Sequence, residues 1–152
     1  MKLRTSLMTI SIFAAAAACD SAVDPAPSGD VSIVIQQALT GQTTSAGTFS
    51  MTGAFSDEGQ TTEELTFGGP LTQPVVPVTF RRVITGKRGT LTITGAATLT
   101  WNSQTTAALQ GTWRVESATG PYAKGNGTLT GSANFAATPP TAAITYTGVI
   151  NK

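Results

Sequence analysis

Residues 90–101 read TLTITGAATLTW, and apolar or small side chains occupy every second position of this stretch. Successive side chains of a β-strand point to opposite faces, so the alternation predicts one long strand over these residues. A glycine in the middle of a strand is typical of the bends that barrel strands need, and Gly95 has that position. One predicted face carries Leu91, Ile93, Gly95, Ala97, Leu99 and Trp101, and threonine dominates the other.

Seven further segments after residue 30 alternate in the same way, and no helical periodicity competes with them. Their predicted inward positions are Val31, Ile33 and Ile35; Phe49, Met51, Gly53 and Phe55; Leu65 and Phe67; Val78, Phe80, Arg82 and Ile84; Leu109, Gly111, Trp113 and Val115; Leu129, Gly131, Ala133 and Phe135; and Ile144, Tyr146, Gly148 and Ile150. Turns are predicted between them at Thr40-Gly41, Asp57-Glu58-Gly59, Gly68-Gly69-Pro70, Gly86 to Gly89, Asn102-Ser103, Gly125-Asn126-Gly127 and Pro139-Pro140.

Eight strands with short connections predict an all-β domain with antiparallel neighbours. Each strand offers one apolar face, so the sheet must either close on itself or stack. Inward glycines relieve crowding and permit tight coiling, which favours closure. We therefore predict an eight-stranded antiparallel up-and-down β-barrel over 31–152, with a two-sheet β-sandwich as the alternative.

The first eighteen residues have the anatomy of a cleaved signal peptide. Lys2 and Arg4 precede a short apolar stretch, which ends in small residues before Cys19, the single cysteine. This junction resembles the lipobox of bacterial lipoproteins, although Ala16 stands where that motif usually carries leucine. The resemblance implies that Cys19 is diacylated and attaches the protein to a membrane of the bacterial cell envelope. An ordinary secretory signal with an incidental thiol is the alternative.

Residues 19–30 combine that cysteine with a linker rich in Pro, Ala, Ser and Asp, and residues 31–152 form the barrel domain. Removal of residues 1–18 takes away two of the nine basic residues and none of the eight acidic ones. The mature chain then carries a net charge of −1 in place of +1, which argues against a nucleic-acid partner.

Three glycine-rich stretches resemble the strand–loop–strand signature of small allene-oxide-cyclase-like and dirigent-like β-barrels, many of them exported bacterial proteins of unknown function. They are 111–115 (GTWRV), 117–123 (SATGPYA) and 125–131 (GNGTLTG), and 47–55 (GTFSMTGAF) resembles an early strand of the same proteins. The resemblance implies a calycin-like barrel. It transfers no catalytic residue, because no active-site motif of that group matches here.

Composition leaves little scope for catalysis. The chain has no histidine, one cysteine and 11% charged residues. The absence of histidine excludes a histidine general base and an ordinary zinc or copper site, and the eight acidic residues, several of them scattered, argue against a calcium site. We expect no metal and no cofactor. The composition therefore favours a binding or structural role over an enzyme.

One pair of charged residues falls on predicted inward faces. Glu63 is in phase with Leu65, and Arg82 is in phase with Phe80 on the next strand. A buried carboxylate–guanidinium pair at a barrel mouth could anchor a polar ligand group. The alternative, which we favour at this point, puts Glu63 in the loop rim and turns Arg82 to solvent.

Three aromatic residues complete the ligand-binding candidates. Trp101 and Trp113 fall on predicted inward faces. Each could stack on a ligand or pack in the core, and core packing is the commoner role for an inward tryptophan. Tyr122 lies in a glycine-rich loop and either contacts a ligand or fills a barrel end.

Three functions remain open: a tethered barrel that binds a small apolar ligand, a structural or interaction module of the envelope, and a cyclase- or isomerase-like barrel enzyme. An apolar pocket of several hundred Å³ would indicate the first, and a packed interior the second.

Overall fold

The computed structural model describes residues 29–151, which form a closed barrel of eight antiparallel strands in sequence order. The predicted up-and-down barrel is confirmed, and the sandwich alternative is wrong. The signal peptide, Cys19 and nearly all of the linker lie outside these residues. Within them, no helix is long and apolar enough to cross a membrane.

The eight strands are 10 to 13 residues long. They are β1 (Gly29–Leu39), β2 (Thr44–Gly53), β3 (Asp57–Phe67), β4 (Val75–Gly86), β5 (Thr90–Trp101), β6 (Thr106–Ala118), β7 (Gly125–Asn134) and β8 (Thr141–Ile150).

The first and last strands close the barrel. Ile33 of β1 is opposite Tyr146 of β8, and Ile35 is opposite Ile144. Residues predicted to face the barrel interior are therefore paired with each other where β1 and β8 close the sheet. Each of these four side chains is buried. The period-two pattern therefore fixes the register, because a slip of one residue would turn the apolar side chains of β1 to solvent.

The two ends of the barrel differ. The connections 54–56, 87–89 and 119–124 lie at the end where β1 begins and β8 finishes, and the side chains of Phe55 and Tyr122 are buried there. We call this the closed end. The connections 40–43, 68–74, 102–105 and 135–140 lie at the opposite end, which we call the open end.

Two predicted turns are in fact strand beginnings. Asp57-Glu58-Gly59 opens β3, because the chain turns earlier, at Gly53, whose φ of 104° favours glycine. Gly125-Asn126-Gly127 opens β7, because the chain turns within 119–124 instead. The first strand likewise begins at Gly29, two residues before the predicted start of the domain.

Gly95 makes room for an aromatic ring. A Cβ at this position would lie 2.3 Å from the backbone oxygen of Thr112 on β6 and 2.5 Å from Cζ of Phe80 on β4, and both contacts are clashes. The β5–β6 register shifts between Thr92 and Ile93, which leaves Glu116 as an extra residue of β6 without an opposite residue on β5. Gly95 thus permits the close approach of both the β6 backbone and the inward Phe80 ring.

Candidate functional site

An apolar cavity opens at the open end of the barrel and has a volume of about 70 Å³. Its wall comes from inward positions of most of the strands. Leu39, Phe67, Phe135 and Pro140 contribute from near the connections, and Leu65, Phe80, Leu99, Leu109, Leu129 and Ile144 from deeper in the barrel. The alternating strands therefore leave a recess with an almost entirely apolar surface.

The polar side chains that line the cavity belong chiefly to one hydrogen-bonded cluster around Arg82. The guanidinium is fully buried, and its Nη2 lies 2.6 Å from Oε1 of Glu63 and 2.6 Å from Oε1 of Gln37. Its Nη1 donates to Oγ1 of Thr61 at 3.0 Å, and its Nε donates to the hydroxyl oxygen of Tyr146 at 3.1 Å. Each nitrogen of the buried cation therefore has a partner, as burial of a charge requires.

Glu63 is equally well partnered. Besides the ion pair with Arg82, its Oε2 accepts hydrogen bonds from Oγ of Ser45 and Nε2 of Gln37, both at 2.9 Å. The two opposite charges and their neutral partners form a unit without net charge. Of this unit, Gln37, Glu63 and Tyr146 line the cavity.

The network fixes the orientation of the Gln37 amide. Arginine can only donate, so the amide oxygen must face Arg82, and a carboxylate can only accept, so the amide nitrogen must face Glu63. The distances of 2.6 Å and 2.9 Å fit this arrangement. One N–H of Gln37 is thereby used, and the second has no acceptor among residues 29–151.

The hydroxyl group of Tyr146 also has an unused hydrogen-bond donor. Its hydroxyl accepts from Arg82, and within the described part of the chain nothing accepts its proton. Burial raises the pKa of Tyr146 to about 12, and the nearby Arg82 only partly opposes this effect. The phenol is therefore protonated at neutral pH and can donate a hydrogen bond.

The closed end is held by a second polar cluster, centred on Asp57. Its carboxylate accepts from the hydroxyl of Tyr122 at 2.6 Å and from the backbone N–H groups of Lys87 and Arg88 at 2.9 and 3.2 Å. Burial alone would raise the pKa of Asp57. The hydrogen bonds to the carboxylate have the larger combined effect, so the pKa is lowered. Burial and the bond to Asp57 raise the pKa of Tyr122.

The structure brings Glu63 and Arg82 together as a buried ion pair, so the expectation that they occupy a loop rim and solvent is wrong. They are opposite each other in the β3–β4 register, and both strands keep their alternation through these positions. Glu63 lines the cavity, whereas Arg82 lies behind it and holds the lining residues in place.

The three aromatic candidates lie outside the cavity wall. Trp113 is buried and donates from Nε1 to the backbone oxygens of Thr128 and Thr147. Tyr122 is at the closed end, where its ring packs edge-on against Phe55 with centroids 5.3 Å apart. Trp101 packs on Phe135, a wall residue, with ring centroids 4.7 Å apart.

Two functional candidates escaped the sequence reasoning, Gln37 and Tyr146. The alternation of the sequence indicates an inward direction for both side chains. Gln37 continues the inward series of Ile33 and Ile35, and Tyr146 is on a predicted inward face. What the pattern could not show is that β1 and β8 bring these side chains to Arg82, which belongs to β4.

Among residues 29–151 there is no group of three or more His, Cys, Asp or Glu side chains that could hold a metal ion. The fold and the cavity together define a small closed β-barrel with one recessed end. Comparisons with known protein families, with curated proteins and with solved structures found no match to this chain. The resemblance to allene-oxide-cyclase-like barrels therefore stays a prediction.

Proposed function

We propose that this barrel binds a small apolar ligand in the cavity at its open end. The observation that carries the proposal is the difference between the two ends. Phe55, Tyr122 and the Asp57 cluster fill the closed end, whereas the open end leaves an apolar recess in contact with solvent. Apolar surface in contact with water is unfavourable, so a recess of this kind favours an apolar occupant.

The size of the cavity restricts the ligand. Its volume of about 70 Å³ is well below the several hundred Å³ of typical ligand pockets, so the size given above as the indication of ligand binding is not reached, and the proposal rests on the difference between the two ends. The volume is also about half the roughly 150 Å³ of an engineered cavity that binds benzene. The cavity is open at one end, so a slender chain can extend from it towards solvent. We therefore expect an unbranched alkyl chain and not a ring system.

Filling the cavity tests this proposal. Ala133 lines the cavity and is buried, so Ala133→Leu should occupy the space that the ligand needs. Ala96 is exposed on the outer face, and Ala96→Leu adds the same atoms there as a matched control. In NMR titrations, methyl butyl ketone should bind to the unmodified protein and to the control variant. It should not bind to Ala133→Leu. Equal binding by all three would overturn the proposal.

A structural or interaction role in the cell envelope is the second candidate. The observation that favours it is that most inward side chains are buried and the ion pair is fully partnered without any ligand. In that case no small apolar compound should perturb the resonances of the cavity residues, and Ala133→Leu should change only the stability.

We also propose that the protein is an exported bacterial lipoprotein whose diacylated Cys19 tethers it to a membrane. Two acyl chains would give stable attachment, where one alone gives marginal binding. The chain enters the barrel at Gly29, at the closed end. A tether on that side would leave the open end free for ligand exchange.

Metabolic labelling with radioactive palmitate tests the tether. The unmodified protein should be labelled and should sediment with membranes, and Cys19→Ser should be unlabelled. A soluble, unlabelled protein would support the alternative of an ordinary secretory signal.

A further inference from the structure

We propose that the cavity selects a neutral ligand with a hydrogen-bond acceptor, of which an alkyl ketone or ester is the simplest example. This inference rests on the proposed function and specifies the chemical class of the ligand. It follows from the charges and from the unused donors of the cluster that borders the cavity.

The charges at the cavity are already balanced. Among residues 29–151, Glu63 is the one charged residue that lines the cavity, and Arg82 pairs with it from behind the wall at 2.6 Å. A carboxylate ligand would therefore meet the negative charge of Glu63 without a spare cation. An ammonium ligand would meet Glu63, but Arg82 already pairs with it, and the guanidinium would repel a second cation. Burial of an unpaired charge is strongly unfavourable, so both charged classes are disfavoured.

The cluster nevertheless offers hydrogen-bond donors. Gln37 has one N–H to spare after its bond to Glu63, and the hydroxyl of Tyr146 has its proton to spare after accepting from Arg82. Both side chains line the cavity, but Tyr146 has no exposed surface, so the partly exposed Gln37 is the donor that a ligand can reach. A carbonyl oxygen of the ligand can accept this hydrogen bond.

The apolar side chains of the remaining wall indicate the chemistry of the rest of the ligand. Beyond the cluster the wall is formed by side chains such as Leu65, Leu109 and Ile144. These offer no hydrogen bond, so the ligand should continue from its carbonyl group as an alkyl chain that packs along this apolar wall.

Four probes of similar size separate the classes: methyl butyl ketone, butyl methyl sulfide, hexanoate and hexylammonium. The sulfide keeps the apolar chain but has only a weak acceptor. We expect the ketone to bind the unmodified protein about tenfold more tightly than the sulfide, as a well-placed hydrogen bond allows. Neither ion should bind measurably, and NMR titration provides the affinities without any substitution.

One variant locates the donor. Gln37→Met should lower the affinity for the ketone towards that of the sulfide and leave the affinity for the sulfide unchanged. Tyr122→Phe removes a hydroxyl group at the closed end and should alter neither affinity. A purely structural role of Gln37 would shift the affinities for both probes together, and if Gln37→Met fails to fold, the comparison of the ketone with the sulfide on the unmodified protein still decides.

The outcomes separate the two proposals. If no probe binds, the proposed function fails and this inference fails with it. If ketone, sulfide and hexanoate bind equally well, the cavity binds apolar ligands but the selectivity proposed here is wrong. Tighter binding of hexanoate than of the ketone would likewise overturn it.

Discussion

Glu63 and Arg82 stand directly opposite each other on β3 and β4, with Oε1 and Nη2 2.6 Å apart and both side chains buried. The pair is the centre of a network that also joins β1, β2 and β8 through Gln37, Ser45 and Tyr146. Side chains from five strands therefore meet inside the barrel. Loss of either charge would leave the other buried and unpaired.

The first prediction concerns this ion pair. Arg82→Met should lower the free energy of unfolding by about 3–5 kcal/mol, because Glu63 would remain as an uncompensated buried charge. The double variant Glu63→Leu with Arg82→Met should be less destabilised than Arg82→Met alone. Urea unfolding of Arg82→Met, Glu63→Leu and the double variant measures this coupling. If the loss of stability in the double variant equalled the sum of the losses in the two single variants, the two residues would not act as a pair.

The second prediction concerns acid stability and Asp57. Its pKa is lowered from the ordinary value of 3.8 in the folded protein, so the folded state favours the carboxylate. The stabilisation is complete above the unfolded pKa and is lost as the pH falls through the folded pKa. Asp57→Asn should therefore lose stability at neutral pH, by about 1–3 kcal/mol for the disrupted hydrogen bonds. The difference between the two proteins should shrink below about pH 3.8; thermal unfolding against pH provides the comparison, and a constant difference would contradict it.

The third prediction concerns alkaline stability and Tyr122. Its pKa is raised above the ordinary value of 10.0, so the folded state favours the protonated phenol. The contribution of Tyr122 is complete below about pH 10 and disappears as the pH rises through the folded pKa. Tyr122→Phe should be less stable than the unmodified protein at pH 7 and should approach it at high pH. Because Tyr146 titrates in both proteins, only the difference between them is diagnostic.

The fourth prediction concerns the contact between Gly95 and Phe80. A Cβ on Gly95 would collide with Cζ of the ring, so Gly95→Ala should destabilise the barrel by about 1–3 kcal/mol. Phe80→Leu in the same chain should recover part of this loss, because the shorter side chain vacates the contact. Chemical denaturation of both single variants and the double variant tests the coupling. No recovery would assign the cost to the backbone oxygen of Thr112, which the added Cβ would also meet.

Much of the candidate site could be predicted from strand parity alone. The inward direction of Glu63 and Arg82 follows from their spacing to Leu65 and Phe80, and both are buried. The aromatic candidates were less well placed, since parity puts Trp113 inside without telling a cavity wall from a packed core. Its indole N–H bonds to carbonyls of β7 and β8, which are partners that only the closed sheet supplies.

The sequence by itself determined the strands and their inward faces, because alternation with period two is a local property that each segment carries independently. It also determined the number of strands, and hence that closure was available to the sheet. The tertiary structure decided which turns are real, as at Gly53, and which residues of distant strands become neighbours. Gln37, Arg82 and Tyr146 are far apart in the chain and meet only because β1 pairs with β8 and the sheet closes. The cavity is likewise a property of closure, since its volume depends on how the side chains of several strands fill one enclosed space.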